Sequence, residues 1–187
     1  MPDIIHTSKR NNRLYMFILC ALFAALTVVG TFIQFPLPFT PVNINLALLS
    51  VYLAGGLLGP KYGILSQVVF LLLGAVGLPV FSNFSGGIGV LVGPTGGYLA
   101  GYILAALTVG LIVGKHLRPP VWRIACACFA GMLACYIPGT IWFMIYMNVG
   151  LIAALAMCVV PFLLGDALKI TAAVILIRTL RRFVQKQ

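Results

Sequence analysis

The sequence predicts an all-α integral membrane protein with six transmembrane helices and a long glycine-rich outer loop between helices 3 and 4. Of its 187 residues, 62% are hydrophobic and 7% are charged, whereas soluble domains have roughly 25% charged residues. Six apolar runs are separated by glycine, proline and basic residues, and a span needs roughly 20 residues. We expect one membrane domain, 1–187, with cytoplasmic tails at 1–13 and 181–187.

The first three predicted helices lie before the glycine-rich segment. The first runs from about Leu14 to Phe35 and ends because the prolines of PLPFTPVN cannot continue a helix. The second runs from about Ile44 to Leu58, and the third follows GPKYG and ends near Val80. The next eighteen residues, FSNFSGGIGVLVGPTGGY, contain six glycines. They predict a loop that re-enters or caps the protein.

The last three predicted helices follow that loop. Their expected bounds are near Thr95 to Val113, about Ile124 to Tyr146, and about Leu155 to Leu180. A kink is expected in the fifth helix at Pro138 and Gly139. Six spans place both termini on one side, and eleven of the twelve basic residues fall on that side. The positive-inside rule makes this side cytoplasmic.

The formal charge of +10 raises the question of nucleic acid binding. The basic residues, however, form small clusters beside apolar segments and do not share a polar face, which is typical of topology signals. The lipid bilayer is therefore an expected partner, and nucleic acid is not.

Two charged residues lie inside the sixth predicted helix. Asp166 and Lys169 are three residues apart, so they share a helix face and can pair. Intramembrane charges usually face a protein interior or a water-filled cavity and belong to a ligand or ion path. A purely structural ion pair is the alternative. Because the pair lies in the first half of the helix, we expect a site that opens outward.

The glycine-rich loop lies on the same predicted side as this pair. Its glycines allow backbone N–H groups to approach an anion, and Pro94 and Thr95 begin a helix whose N-terminus favours negative charge. Asn83 and Ser85 add side-chain hydrogen bonding. The loop is therefore expected to cover a small polar ligand, although flexible connection is the commoner role of such a segment.

Enzymatic chemistry is not expected from these residues. The segment GLIVGKH is one residue too short for a P-loop and has His where the magnesium-binding hydroxyl belongs. The predicted spans contain no Ser, His and Asp set, and no cofactor is expected. Energy for transport would then come from a partner or from an ion. A stand-alone secondary carrier of a small anionic metabolite, with Asp166 as its ion or proton site, is the alternative function.

Three segments together resemble the BioY family, the biotin-binding S components of energy-coupling factor (ECF) transporters. They are PFTPVNINLALLSVYLAGGLLGPKYGILSQVVFLLLGAVGLPVF, GGIGVLVGPTGGYLAGY and PFLLGDALK, and they cover residues 38–102 and 161–169. The resemblance implies high-affinity capture of biotin from outside a prokaryotic cell, at its inner membrane. It also implies transport with a transmembrane coupling subunit and two ATPases, so that only the partners use ATP.

The resemblance also implies site residues. Asp166 and Lys169 of the GDxxK motif, with Asn83 of the long loop, would bind the ligand. Ala21 and Ala25 on the first helix would form the docking face for the coupling subunit, because small residues four apart allow close helix approach in lipid.

Biotin suits the residues so identified. Its ureido group has two N–H donors and one carbonyl acceptor, which the carboxylate of Asp166, the ammonium of Lys169 and the amide of Asn83 can satisfy. The ligand carboxylate is then expected on the backbone of three residues: Ser85, Gly86 and Gly87. The opposite pose, with Lys169 on that carboxylate, stays open. The candidate apolar walls are Phe39, Phe81, Phe84 and Tyr98.

Overall fold

The structure is a computed structural model that describes residues 3–35, 42–114, 116 and 118–184. Its helices are α1 (Asp3–Phe32), α2 (Ala47–Ala75), α3 (Ile88–Leu91), α4 (Gly96–Val113), α5 (Val121–Met147), α6 (Leu151–Cys158) and α7 (Leu163–Val184). Strands β1 (Gln34–Phe35) and β2 (Ile44–Asn45) pair antiparallel. Two 3₁₀ turns cover Ser82–Phe84 and Val160–Phe162.

The helices are long and apolar enough for a multi-pass membrane protein. Within the described residues, five segments meet the length and hydropathy of a membrane span: Arg13–Phe32, Ala47–Ala75, Gly96–Val113, Val121–Met147 and Leu151–Val184. The second of these is a helical hairpin, because Gly59 has φ 81° and interrupts the helix before Pro60. A Cβ on Gly63 would lie 3.0 Å from the Cα of Gly55, so the two arms fold back on each other. The arms, 47–58 and 60–75, are the second and third predicted helices.

Several predicted helix bounds differ from the structure. The first helix ends at Phe32 and not at Phe35, because Gln34–Phe35 pairs with Ile44–Asn45. It begins at Asp3, so most of the predicted N-terminal tail is helical. The C-terminal helix likewise continues to Val184, into the predicted tail. The fifth predicted helix is α5, which continues through Pro138, and the kink expected there stays a prediction.

The sixth predicted helix is in fact two helices. The prediction of one helix from Leu155 to Leu180 is wrong because Pro161 lies in the 3₁₀ turn that separates α6 from α7. A proline inside a helix removes a backbone hydrogen bond and clashes with the preceding turn. The break gives α7 its own N-terminus at Leu163, three residues before Asp166.

Small residues bring the central helices together. A Cβ on Gly55 would lie 2.5 Å from the carbonyl oxygen of Ala106, and one on Gly101 would lie 2.8 Å from the carbonyl oxygen of Cys135. Helix α4 therefore packs at backbone distance against α2 on one side and α5 on the other. Close approach through small residues is the usual way in which helices gain packing energy in lipid.

Arginines cap helix ends at one end of the bundle, here called the basic end. The buried Arg181 donates from Nη1 to the carbonyl oxygen of Gly56 at 2.7 Å and from Nη2 to that of Gly114. Arg123 donates from Nε to the carbonyl oxygen of Ile112 at 2.6 Å. These bonds satisfy carbonyls that a helix C-terminus leaves without intrahelical partners. The opposite end, where α7 begins, is called the site end.

The basic residues divide between these ends as the sequence predicts. The basic end carries Arg13, Lys61, Arg118, Arg123, Arg178, Arg181 and Arg182. Lys169, two turns into α7 from its start, lies at the site end. The charge asymmetry along the bundle is therefore a property of the fold.

Candidate ligand-binding site

A cavity of about 210 Å³ lies at the site end of the bundle. Part of its polar lining comes from β2, from the residue before it and from the loop after α2: Asn43, Asn45, Ser82, Asn83 and Ser85. Its aromatic lining comes from that loop, α4, α5 and the turn before α7: Phe81, Tyr98, Tyr102, Tyr136 and Phe162. Lys169 is the charged residue among the lining residues. Such a cavity accepts a compact ligand that is largely apolar and has polar groups at its ends.

The charged wall is a hydrogen-bonded cluster of three residues. Lys169 Nζ lies 3.0 Å from Asp166 Oδ1, and the Tyr136 hydroxyl donates to Asp166 Oδ2. Asp166 is 1% exposed and Lys169 is 6% exposed. Both oxygens of the carboxylate thus have a donor, as a buried charge requires. Asp166 also lies in the first turn of α7, where the helix dipole favours a negative charge.

Lys169 and Tyr136, but not Asp166, line the cavity. The carboxylate lies behind them and fixes the positions of the ammonium and the phenol. The prediction that Asp166 and Lys169 pair is therefore correct in geometry. Within this cluster, Lys169 and Tyr136 are the residues that face the cavity.

The polar wall is an amide network. Asn83 Oδ1 accepts from Gln34 Nε2 at 2.9 Å and from Asn43 Nδ2 at 3.1 Å, and Asn43 Nδ2 also contacts Gln34 Oε1 at 2.9 Å. Because the carbonyl oxygen of Asn83 is used in this way, its NH₂ group is the donor that this side chain offers. Asn83 adopts a left-handed backbone with φ 59°, which asparagine tolerates better than most residues.

A second pair fastens the loop to the start of α2. Asn45 Nδ2 donates to Ser82 Oγ at 3.1 Å, and Asn45 Oδ1 accepts from the backbone N–H of Ala47 at 3.2 Å. Asn43 and Asn45 are two residues apart, as expected for side chains on one face of a strand. The short strand pair therefore places two amides against the loop that covers the cavity.

The aromatic wall is held by α4 and α5. The Tyr98 hydroxyl pairs with Thr140 Oγ1 at 3.0 Å, and the Tyr98 ring covers Gly139, where a Cβ would lie 2.4 Å from it. Phe81 packs edge-on against Phe70 with ring centroids 5.4 Å apart. These contacts hold the rings in place as apolar walls of the cavity.

The loop residues predicted to bind an anion through their backbone form contacts within the loop and with the end of α2. The N–H of Gly87 donates to the carbonyl oxygen of Gly74 at 2.7 Å, and a Cβ on Gly86 would lie 2.2 Å from the carbonyl oxygen of Leu78. The N–H of Ser85 donates to Ser82 at 3.3 Å. The structure thus gives no support to a carboxylate site on these backbone donors, because those of Ser85 and Gly87 are already used. Ser85 lines the cavity, whereas Gly86 and Gly87 do not.

Other predicted residues lie away from the cavity. Phe84 is 67% exposed and stacks on Phe32, with ring centroids 4.5 Å apart, instead of forming a cavity wall. Ala21 and Ala25 are exposed on the outer face of α1. Phe39 lies outside the described residues.

The sequence analysis overlooked Tyr136, Tyr102, Asn43 and Asn45 as site residues. The sequence does contain signals for the tyrosines. Tyr98 and Tyr102 are four residues apart and therefore share a helix face, and Tyr136 is a phenol in the interior of an apolar span. A buried phenol usually has a hydrogen-bond partner, here the chain's intramembrane carboxylate.

The family match agrees with this architecture. Residues 6–186 match the BioY family. This chain belongs to the BioY family. The biotin transporter BioY of Thermotoga maritima is 40% identical over 161 residues, which are 86% of this chain and 92% of that protein. The probable biotin transporter BioY of Pyrococcus horikoshii is 40% identical over 163 residues, 87% of this chain and 94% of that protein.

A solved structure shares the BioY fold described above. The crystal structure of the S-component for biotin from an ECF-type ABC transporter has a TM-score of 0.82 to this chain. The two are 28% identical, and the match covers 92% of this chain and 93% of the other. The resemblance drawn from the sequence segments is therefore confirmed at the level of family and fold.

The role of the ion pair can be tested by measuring the stability of variants. Lys169→Met leaves the Asp166 carboxylate buried with one donor fewer, and we expect it to cost about 3 to 5 kcal/mol. The double variant Asp166→Asn/Lys169→Met removes both charges and should recover most of that loss. Reversible unfolding in mixed micelles measures the free energy of unfolding of both variants. A double variant no more stable than Lys169→Met would show that the buried charge is not the cause.

Proposed function

We propose that this chain is a biotin-binding membrane subunit that captures biotin from the outer side of a prokaryotic inner membrane for ECF-dependent uptake. One observation carries the proposal: a single cavity joins the Lys169, Asp166 and Tyr136 cluster to an amide wall and an aromatic wall. The names of the two relatives and of the solved structure support biotin as the ligand. The chain acts as a transporter subunit and not as an enzyme.

The polar groups of biotin match the two polar walls. Lys169 donates to the ureido carbonyl, since its ammonium faces the cavity while Asp166 holds it from behind. The phenol oxygen of Tyr136 accepts from a ureido N–H, since its own proton is given to Asp166. A neutral ion pair beside a neutral ureido ring avoids the repulsion that an unpaired Asp166 would exert on the ligand carboxylate.

The ligand carboxylate then lies at the amide wall. The NH₂ group of Asn83 is its donor, with the Ser82 hydroxyl beside it, whereas the Ser85 hydroxyl donates to the carbonyl oxygen of Ser82 at 2.7 Å and Asn43 Nδ2 donates within the amide wall. These side-chain groups replace the backbone donors expected from the sequence. The bicyclic ring and the carbon chain lie between the Tyr98, Tyr102 and Phe81 rings, whose faces suit apolar groups.

The orientation follows from the charge asymmetry. The positive-inside rule assigns the basic end, and with it both termini, to the cytoplasm. The cavity at the site end then opens outward, where the vitamin is captured. Transport needs an energy source outside this chain, namely an ECF transmembrane coupling subunit and two ATPase subunits, which alone use ATP.

The coupling subunit docks on the outer face of α1. Ala21 and Ala25 leave a shallow surface there, flanked by the exposed side chains of Ile18, Leu22 and Val29. Because small residues permit close backbone approach, a partner helix gains packing energy at this position that larger residues would prevent.

The first experiment measures biotin binding to the purified chain by calorimetry in detergent, without partner or ATP. Asp166→Asn disrupts the cluster that positions Lys169 and Tyr136, and we expect it to weaken binding by about 2 to 5 kcal/mol. Asp3→Asn, at the only other acidic residue, is the matched control. Wild-type binding in Asp166→Asn would refute the site. Proton-dependent uptake by the chain alone, abolished in Asp166→Asn, would favour the secondary carrier instead.

The pose is tested with biotin methyl ester, which removes the ligand's negative charge. Asn83→Ala should bind biotin and its ester with nearly equal affinity, because the donor that distinguishes them is gone. Lys169→Ala should still prefer biotin over the ester. The reverse pattern, with the preference lost in Lys169→Ala and retained in Asn83→Ala, would place the carboxylate on Lys169.

The docking face is tested by introducing a bulky side chain. Ala21→Trp should reduce biotin uptake in cells that express the coupling module at least about tenfold, while biotin binding to the isolated chain stays unchanged. Ile137→Trp, at a residue 59% exposed on α5, is the control and should transport normally. Equal loss of uptake in both variants would indicate a general effect of bulky residues in the span.

A further inference from the structure

A second cavity, here called the arginine groove, lies at the basic end and is not used by the proposed function. It has a volume of about 480 Å³ and is lined by Arg118, Pro119, Pro120, Arg178, Thr179 and Arg182. Its walls are the segment before α5 and the last turns of α7. Both cavities therefore contain residues of α7, near its opposite ends.

The groove presents three guanidinium groups to one volume. Arg178 and Arg182 are four residues apart and share a face of α7, while Arg118 faces them from the other wall. Thr179 adds a hydroxyl. Asp166, one of only two acidic residues, lies at the opposite end of the same helix. Guanidinium groups bind phosphate oxygens through paired N–H donors, so the groove suits a phosphate-bearing anion.

The surroundings of the groove indicate a lipid as the source of that phosphate. Trp122, one residue into α5, is 68% exposed, and Phe183, beside Arg182, is 61% exposed. The Arg182 guanidinium lies 4.7 Å from the centre of the Phe183 ring. Exposed aromatic side chains next to basic ones are typical of the level of lipid headgroups. A groove for a soluble anion or an acidic protein segment would be expected to have polar borders.

The geometry points to a binding site for the phosphate headgroup of an anionic phospholipid in the arginine groove. Arg118 contacts the phosphate from the α5 side, and Arg178 and Arg182 contact it from the α7 side. The acyl chains extend past Trp122 and Phe183 into the bilayer. A bound lipid would thereby join the start of α5 to the end of α7, with the negative charge of the headgroup reducing the repulsion among three like charges.

Native mass spectrometry of the purified chain tests this assignment. The chain is released from micelles that contain equal amounts of phosphatidylglycerol and phosphatidylcholine, and the retained lipids are counted. The wild type should retain phosphatidylglycerol selectively. Arg118→Ala/Arg182→Ala should weaken that retention by about fivefold for each arginine, the weight of one basic residue at an anionic surface.

The matched control removes two exposed positive charges elsewhere at the basic end, in Arg13→Ala/Lys61→Ala, and should retain phosphatidylglycerol as the wild type does. Arg118→Lys/Arg182→Lys keeps the charges but loses the paired N–H donors, so its retention of phosphatidylglycerol should lie between those of the wild type and the alanine variant. Loss in the control equal to loss in the groove variant would overturn the inference, and so would the absence of any preference over phosphatidylcholine.

A soluble competitor separates the two sources of phosphate. Glycerol 3-phosphate has the headgroup chemistry without acyl chains, and at millimolar concentration it should leave retention unchanged. Displacement of phosphatidylglycerol by it would assign the groove to a free phosphate ester and overturn the lipid source. Unchanged lipid selectivity in the groove variant, together with failure to assemble with the coupling module, would make the groove a protein contact instead. None of these measurements uses biotin, so the result is independent of the proposed function.

Discussion

The buried ion pair of Asp166 and Lys169 imposes the strictest requirement on this fold. A carboxylate that is 1% exposed within a membrane domain must have a donor for each oxygen. Three elements supply what it needs: the ammonium of the same helix, the Tyr136 phenol of α5, and the helix N-terminus that the break at Pro161 creates. Because α7 restarts at Leu163, the helix dipole supports the carboxylate where a continuous helix would not. The break that the sequence analysis missed is therefore part of the site.

The glycines of the loop illustrate a difference between composition and use. Glycine-rich segments allow backbone donors to approach anions, and from sequence this is a reasonable expectation. Here Gly86 fits against the carbonyl oxygen of Leu78, and Gly87 donates to Gly74, so these glycines close the loop onto the end of α2. At the amide wall, the donors left for a ligand are the NH₂ group of Asn83 and the Ser82 hydroxyl. In an apolar setting such side-chain groups give directional recognition, while the backbone polar groups hydrogen-bond to one another.

Sequence reasoning predicted what depends on local pattern and on composition. The membrane domain, the hairpin turn at Gly59 and the pairing of Asp166 with Lys169 follow from hydropathy, from glycine and proline, and from spacing along one helix. The contacts of Tyr136 and Asn43 depend on how distant segments pack: thirty residues separate Tyr136 from Asp166, and forty separate Asn43 from Asn83. A single sequence gives no register between helices, so it could nominate these polar residues but not their partners. Phe84 shows the opposite kind of error, a residue that was predicted to line the site but does not. It is adjacent in sequence to predicted site residues, yet its backbone has φ 54° and its side chain is exposed.

Helix α7 carries opposite charges at its two ends. Its first turn has a carboxylate and its last turn has arginines, each at the end where the helix dipole stabilises that charge. Lys169 and Arg182 are thirteen residues apart on one helix, a rise of about 20 Å. A rigid-body movement of α7 that shifts the ammonium in the cavity therefore also shifts the wall of the arginine groove. Ligand and lipid would affect each other's affinity only if one of them binds better to one position of α7, since coupling needs a difference in affinity between two states. The fold supplies the shared element, and the size of that difference determines how strongly the two sites communicate.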